Sequence, residues 1–328
     1  MSGQLVAPFP WFGGKRTVAA DVWARFGDAV NYVEPFFGSG AVLLNRPEPF
    51  SGPETINDAD GFVANFWRAA QSDPEAVAIA ADWPVNEHDL QARHYWLVTK
   101  GRQRLAAALA DPAGFDALIA GWWVWGLCSW IGSGWCSGDG PWQADADGWR
   151  KLPHLGDAGR GINRQHPHLG DAGRGERLAF ISDWLGALSE RLRGVRVTCG
   201  DWSRVCGPSV TTKHGITAVF LDPPYSDEAG RADGLYATDC GEVAHLARKW
   251  AIDNGSDKNM RIALCGYAGE HQMPQGWTAW AWKARGGYGS QSDGDGRANA
   301  ERETIWFSPH CIDVDDTPPL FALMESAS

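Results

Sequence analysis

The chain has 328 residues, of which 44% are hydrophobic and 21% are charged. This composition is typical of a folded globular protein and excludes a disordered chain or a collagen-like fibre. The length suffices for one large domain or two ordinary ones, and no stretch approaches the ~20 apolar residues of a membrane-spanning helix. The net charge of −11 argues against a protein that coats nucleic acid non-specifically. The amino-terminal segment lacks the features of a secretory signal, and the seven cysteines include no C-x-x-C pair, so we expect reduced thiols and a cytoplasmic location.

The amino-terminal part alternates predicted strands and helices. A short apolar strand over 30–33 leads through a glycine-rich turn into the start of a helix in the segment AVLLN, which begins at Ala41. A second short strand covers 55–58, and residues 61–70 place apolar side chains at the spacing of a helix. This order favours an α/β fold.

The middle of the chain interrupts the alternation and is predicted to be an insertion. Residues 71–120 are Ala-rich with a helical pattern that breaks near Pro84 and Pro112. Seven tryptophans follow between Trp122 and Trp149, among Gly, Ser and Cys residues. They indicate either a small aromatic core beneath a loop-rich region or stacking surfaces for unpaired bases.

A tandem repeat lies near the end of this insertion. The segments RKLPHLGDAGRGIN and RQHPHLGDAGRGER start at Arg150 and Arg164, and 10 of their 14 positions are identical. Two short units rich in glycine cannot stack as a solenoid, so we expect a surface hairpin or loop. The spacing of the histidines and aspartates matches no common zinc pattern, and we expect no metal site.

The carboxyl-terminal part returns to alternating strands and helices. Residues 177–193 form a predicted amphipathic helix. The other expected elements are strands over 195–198, 218–221, 261–265, 278–283 and 303–307 and a helix over 243–253. Both ends of the chain therefore contribute to one largely parallel sheet.

A glycine-rich turn, FFGSG over 36–40, follows the first predicted strand. Glycines there let the backbone approach a ligand at the edge where α/β sheets bind cofactors. The turn matches neither G-x-G-x-x-G nor G-x-x-x-x-G-K-[ST]. The sequence therefore argues against a nicotinamide dinucleotide site and against a nucleotide-phosphate site. Asp58, at the end of the second strand, is predicted either to accept hydrogen bonds from ribose hydroxyls or to cap the helix beginning near Gly61.

The most specific segment is Asp222-Pro223-Pro224-Tyr225, which follows the apolar strand over 218–221. Its two prolines fix the backbone and remove two donors, so their carbonyl oxygens remain as acceptors. A carboxylate, a carbonyl and an aromatic ring are thus predicted at one strand end. An exocyclic amino group on a flat base needs two acceptors and a stacking face, and this segment offers all three.

Five segments, taken together, resemble the Dam-type (D12 class) N6-adenine DNA methyltransferases. They are the segment PWFGGK ending at Lys15, EPFFGSG over 34–40, Asn57-Asp58, Gly200-Asp201-Trp202 and the DPPY segment over 222–225. Their order, with DPPY late, resembles the α group of the family, and the segment RETI over 302–305 resembles its terminal strand. The resemblance covers roughly 8–70 and 178–308 but not the middle of the chain.

The resemblance implies a Rossmann-like S-adenosylmethionine-dependent methyltransferase sheet with a mostly helical and loop-rich inserted target-recognition domain. The expected divisions are 1–70 and 177–328 for the two parts of the catalytic domain, and 71–176 for the insertion. The residues expected to bind S-adenosylmethionine are Trp11, Gly13, Gly14, Lys15, Glu34, Pro35, Phe36, Gly38, Gly40, Asp58, Asp201, Trp202 and Asp222.

The implied reaction is methyl transfer to the N6 amino group of an adenine flipped out of duplex DNA. Asp222 and the Pro223 carbonyl accept the two amino hydrogens, Tyr225 stacks on the base, and Lys15 supplies a positive charge near Asp222 or the cofactor's carboxylate. Pro224 completes the catalytic segment. The family needs no metal.

The partner expected for this acidic chain is double-stranded DNA. Residues 150–193 hold more Lys and Arg than Asp and Glu, and the candidate DNA contacts are Arg150, Lys151, Arg160, Arg164 and Arg174. They indicate phosphate contacts, guanine contacts or solubilising loop arginines. We also expect a monomer and consider a cognate restriction endonuclease. The rival functions are a methyltransferase for RNA or another amine, and a catalytically silent DNA-binding relative.

Overall fold

The structure is a computed structural model that describes residues 5–11, 14–130, 135–136, 142–145, 148–151, 178–224, 241–282 and 303–314. None of the helices in these ranges has the length and apolarity that crossing a membrane requires.

Nine strands lie within the described ranges, seven of them in one sheet. In chain order they are Asn31–Glu34 (β1), Glu54–Asp58 (β2), Trp142–Asp145 (β3), Gly148–Lys151 (β4), Val195–Cys199 (β5), Thr217–Leu221 (β6), Met260–Tyr267 (β7), Thr278–Ala281 (β8) and Glu303–Phe307 (β9). β3 and β4 form a separate antiparallel hairpin.

The order of strands in the sheet is β5-β2-β1-β6-β7-β9-β8. The first five strands of this series pair in parallel, and β9 is antiparallel to both β7 and β8. From β1 the chain runs outward to β2 and β5 on one side, and it continues from β6 to β7 and β9 on the other. The neighbouring strands β1 and β6 therefore flank a topological switch point, where open α/β sheets bind ligands.

Helices cover both faces of the sheet. They are Ala19–Phe26 (α1), Gly61–Ser72 (α2), Pro74–Ala81 (α3), Glu87–Trp96 (α4), Arg102–Ala110 (α5), Ala117–Ser129 (α6), Leu178–Leu192 (α7) and Gly241–Asn254 (α8). Tyr32 and Phe220 belong to a large core that includes α1, α2 and α7, whereas Val33 and Leu221 pack in a smaller core that includes α8. This alternation follows from the two-residue period of a strand.

The described helices of the predicted insertion do not form a separate core. α3 and α6 pack on each other and on α2 and α7, and their buried side chains belong to the large core. α3 ends at Ala81 and α5 at Ala110, just before the proline-containing breaks at Pro84 and Pro112. The division of the chain at 71 and 176 stays a prediction.

The tryptophan-rich segment contains a buried helix. α6 includes Trp123 and Trp125, and both rings are at most 2% exposed. Trp130 and Trp135 are also buried, and their ring centroids lie 5.0 Å apart. These four rings form an aromatic core, so the base-stacking alternative does not hold for them.

One predicted helix is wrong. The segment AVLLN forms a single 3-10 turn over Leu43–Asn45 instead of starting an α-helix. The chain becomes extended at Arg46, because the following Pro47 disfavours the helical conformation for the residue before it.

Candidate active site

The carboxyl edge of the parallel strands brings together the loops that follow β1, β2, β5 and β6. β1 pairs directly with β6, so Glu34 and Asp222 stand at neighbouring strand ends. Four predicted segments that are far apart in the sequence therefore meet at this edge, at 34–40, 57–58, 200–202 and 222–224. Open α/β sheets bind their ligands at such an edge.

The loop after β1 depends on glycine at two positions. Gly38 and Gly40 adopt φ values of +48° and +63°, in the region that disfavours residues with a Cβ. Trp11 packs against the loop, and a Cβ added to Gly38 would lie 2.3 Å from Trp11 Nε1. The Trp67 indole donates a hydrogen bond to the Gly38 carbonyl over 2.9 Å. The amino-terminal segment and the glycine turn are thus packed as one unit.

Asp58 holds this loop from the end of β2. Its Oδ2 accepts a hydrogen bond of 2.9 Å from the Gly38 backbone N–H, and its Oδ1 accepts one from the Asp60 N–H. The cap of α2 is Asp60, whose carboxylate accepts from the Phe62 N–H over 2.8 Å. The helix-cap alternative for Asp58 is therefore wrong. Burial, and secondarily the charge of Asp60, raises the pKa of Asp58 to about 7.

Asn57 joins three strand ends and was missing from the predicted site. Its side-chain Nδ2 donates to the backbone carbonyls of Pro35 and Gly200, over 3.1 and 2.9 Å. Its backbone carbonyl accepts from the Phe37 N–H. The side chain is 2% exposed. A buried amide at the end of an apolar strand was the available signal, because such a group must find partners in the loops around it.

The loop after β5 faces the glycine loop across the strand end. The rings of Phe36 and Trp202 lie 5.7 Å apart with an interplanar angle of 31°. Trp202 is 9% exposed, and Asp201 is exposed and accepts a hydrogen bond from the Ser203 N–H over 2.9 Å. An aromatic pair beside an exposed carboxylate suits a flat, nitrogen-rich ring.

Lys15 and Asp222 form an ion pair at the end of β6. Lys15 Nζ lies 2.9 Å from Asp222 Oδ2 and 3.5 Å from Glu303 Oε2. The lysine side chain is 4% exposed and that of Asp222 is 22% exposed. Burial by itself lowers the pKa of Lys15, but the charges of Asp222 and then Glu303 outweigh burial and hold the pKa well above its ordinary value. The lysine is therefore a fixed positive charge beside a partly accessible carboxylate.

Glu34 is a buried acid on the same side of the sheet. The Tyr32 hydroxyl donates to Glu34 Oε2 over 2.7 Å, and the Glu34 residue is 3% exposed. Burial raises the pKa of Glu34 well above its ordinary range, against the opposing effect of the Tyr32 hydrogen bond. Among the described residues, no Lys or Arg forms an ion pair with Glu34. A cationic group bound beside Glu34 would favour the ionised form of this acid.

The structure does not describe every predicted site residue. Gly14 is exposed beside Lys15, Pro35 follows β1, and Pro223 and Pro224 follow Asp222 in extended chain. Arg150 and Lys151 belong to β4, a strand for which the structure describes only the backbone. Gly13, Tyr225, Arg160, Arg164 and Arg174 lie outside the described residues.

The seven-stranded sheet and the helices that cover it are consistent with a Rossmann-like methyltransferase fold. The family model for the D12 class N6 adenine-specific DNA methyltransferases matches residues 11–103, which include Trp11, the glycine loop and Asp58. Over this range the chain is similar to that family, and a methyltransferase of this class implies S-adenosylmethionine as the methyl donor and DNA as the substrate. A comparison with curated proteins returned no match.

Proposed function

We propose that the protein transfers a methyl group from S-adenosylmethionine to the N6 amino group of an adenine that is flipped from duplex DNA into a pocket formed by residues 222–225. The observation that carries this proposal is the position of Asp222. Its partly accessible carboxylate is paired with Lys15 and lies at the switch point, next to the loop that contains Gly38 and Gly40.

The residues around the glycine loop fit S-adenosylmethionine by the chemistry of their donor and acceptor groups. Glu34, a buried acid beside a neutral hydroxyl, suits the cofactor's ammonium group. Each Asp58 oxygen accepts one backbone N–H and has lone-pair capacity left for ribose hydroxyls. Phe36, Trp202 and Asp201 suit the adenine ring and its amino group. When bound, the cofactor supplies an electrophilic methyl group on a sulfonium.

Asp222 acts on the target amine. The adenine N6 lone pair is delocalised into the ring, which makes the nitrogen a weak nucleophile. Hydrogen bonds from the amino group to Asp222 and to the Pro223 carbonyl favour a pyramidal nitrogen and aim its lone pair away from the ring. Asp222 then takes the proton that becomes acidic once the nitrogen is substituted. Positioning is the main contribution of the protein to this step.

Lys15 and Tyr225 complete the target pocket. Lys15 pairs with Asp222 and limits the rotation of its carboxylate through a contact of 2.9 Å. Tyr225 stacks on the flipped base. Pro224 fixes the backbone between Asp222 and Tyr225. Trp11, Gly13 and Gly14 are assigned to cofactor binding, and Trp11 packs against the glycine loop.

DNA binding is assigned to the basic residues of the 71–176 segment. Arg150, Lys151, Arg160, Arg164 and Arg174 contact the duplex, chiefly through phosphates. The motif order supports membership of the α group, with 1–70 and 177–328 as the catalytic parts and 71–176 as the target-recognition part. We further propose that the enzyme acts as a monomer and belongs with a cognate restriction endonuclease.

Asp222→Ala tests the assignment of the target pocket. We expect methyl transfer to fall by at least ~100-fold, the scale of a lost transition-state contact, with little change in cofactor affinity. Initial rates with labelled cofactor and calorimetric titration of S-adenosylmethionine measure the two quantities. Asp253→Ala, which removes an exposed acid of α8, is the matched control. Near wild-type activity of Asp222→Ala would remove Asp222 from catalysis.

A further inference from the structure

Glu303 reaches the candidate active site from a strand that runs against the others. β9 is antiparallel to β7, so its first residue lies at the carboxyl edge of the parallel strands. The register pairs Glu303 with Tyr267, the last residue of β7. An acid that starts the antiparallel strand therefore lies at the same edge as Asp222, two strands away from β6.

Lys15 lies between two acids. Its Nζ is 2.9 Å from Asp222 Oδ2 and 3.5 Å from Glu303 Oε2, and the side chains of Lys15 and Glu303 are 4% and 7% exposed. The ring of Trp282 lies 6.0 Å from the same ammonium group, and the backbone N–H of Trp282 donates to the backbone carbonyl of Glu303 over 3.1 Å. The ammonium group is therefore buried between anions that come from two different strands.

We propose that Glu303 is a positioning residue for methyl transfer, which holds the Lys15 ammonium group against Asp222 while Asp222 accepts the hydrogen of the target amine. This inference rests on the proposed role of Asp222. A buried ammonium group that pairs with a single anion needs that anion to stay charged. Asp222 alone would have to stabilise Lys15 and bind the substrate amine at the same time. Glu303 supplies a second anion that takes no part in substrate binding, so Lys15 stays charged and in place through the reaction.

Among the described residues, the charged and titratable groups that act on Lys15 include Asp222, Glu303 and the thiol of Cys265 on β7, and Asp222 in turn acts on Glu34. Removing the Glu303 charge leaves Asp222 as the main anion against the cost of burying Lys15. We therefore expect the lysine to lose its proton at lower pH in a Glu303→Gln variant than in the wild type.

The first test is the steady-state kinetics of Glu303→Gln, which keeps the size of the side chain. We expect kcat to fall by at least ~10-fold, since small displacements of a catalytic contact are costly, while the cofactor affinity stays within about twofold. The alkaline limb of the kcat profile should move to lower pH. A purely structural residue would lower thermal stability without moving this limb.

Glu54→Gln is the matched control. Glu54 is a buried acid of the same sheet, at the amino-terminal start of β2, and it pairs with Arg46 and Arg191. Its loss should lower the melting temperature and leave the kcat and pH profile of the folded enzyme unchanged.

A double-mutant cycle shows whether Glu303 acts through Lys15. In a Lys15→Met background, the further change Glu303→Gln should have no effect on kcat, because the group that Glu303 positions is gone. Equal fold-losses in both backgrounds would overturn the inference even if Asp222 proves essential.

A measurement without turnover separates this inference from the proposed function. An NMR titration of the Lys15 ammonium group, assigned with Lys15→Met, should show a lower lysine pKa in Glu303→Gln than in the wild type. An unchanged titration would overturn the inference whatever the enzyme methylates. If the lysine pKa is lower in Glu303→Gln but the protein methylates no adenine, the contact between Glu303 and Lys15 is supported and the proposed function is overturned.

Discussion

Asp58 and Asp60 are neighbouring acids with different roles, and mutation can separate the two roles. Asp60 caps α2, whereas Asp58 holds the Gly38 N–H and remains half-buried at the strand end. Asp58→Ala should weaken S-adenosylmethionine binding by about 1–3 kcal/mol through lost charge-assisted hydrogen bonds. Asp60→Ala should instead cost about 0.5–2 kcal/mol of folding stability through the lost cap.

Calorimetric titration and thermal melts of both variants distinguish the two acids. Unchanged cofactor affinity in Asp58→Ala would contradict the ribose assignment.

Asp58 also gives the cofactor-free protein a pH dependence of stability. The folded-state pKa is about 7, above the unfolded value of 3.8. A carboxyl whose pKa is raised on folding contributes stability that is fully present below the unfolded pKa and is lost as pH rises through the folded pKa. The melting temperature of the wild type should therefore fall relative to Asp58→Asn between about pH 4 and pH 7. Parallel melting curves for the two proteins across this range would contradict the raised pKa.

At the residue scale, the site residues that the sequence predicts stand within contiguous motifs. Lys15, Gly38, Asp58 and Asp222 are all brought to one edge. Asn57 and Glu303 were not assigned roles, because their contacts are made across the sheet with residues more than 100 positions away. Such partners depend on the order of strands, which no local pattern encodes.

The glycine loop is the element on which the cofactor site depends. Gly38→Ala should lower both the melting temperature and the affinity for S-adenosylmethionine. The left-handed conformation costs a residue with a Cβ about 1–2 kcal/mol, and the added carbon meets the Trp11 ring.

The matched control is Gly186→Ala in α7, where an added Cβ meets nothing within 4 Å. It should stabilise the protein by about 0.5–1 kcal/mol, because alanine loses less backbone entropy in a helix. Calorimetry and melting curves report both variants. A Gly38→Ala protein as stable as the wild type, with unchanged affinity, would contradict the account of the loop.

At the scale of elements, the strands of the large sheet were predictable and one buried helix was not. Strands such as β6 and β7 are short apolar runs bounded by turn residues, so their sequence signal is strong. α6 is surrounded by other elements and is hydrophobic on nearly every side, so it lacks the one-sided period that marks a surface helix. The apolar segment after the glycine turn predicts a helix start, but Pro47 favours an extended Arg46, so only the 3-10 turn over Leu43–Asn45 forms.

The whole molecule is acidic, so the proposed binding to DNA requires a local basic region. If Arg160 and Arg174 contact phosphates, replacing both with Ala should lower the affinity for all duplexes alike. The salt dependence of binding should fall by about one unit of slope per lost contact. Sequence-selective loss of about 1–3 kcal/mol would indicate guanine contacts instead.

Filter binding of the double variant over a salt series, on duplexes of different sequence, measures this dependence. Asp253→Ala serves as a charge-changing control away from the repeat. Unchanged binding of the double variant on every duplex would remove the repeat from the DNA interface.

At this scale the sequence predicted an α/β fold but not its strand order. Placing β6 beside β1 rather than beside β5 requires contacts such as Asn31 with Thr217, which are 186 positions apart. This placement also brings Asp222 next to the glycine loop. The strand order and the site therefore depend on the same long-range contacts, which no local pattern encodes.

The most direct test of the account is methyl transfer from labelled S-adenosylmethionine to duplex DNA and, in parallel, to total RNA, followed by digestion and identification of the labelled base. The account predicts label on N6 of adenine in duplex DNA with the wild type, none with Asp222→Ala, and none on RNA. Label on RNA, on another base, or equally with both proteins would contradict it.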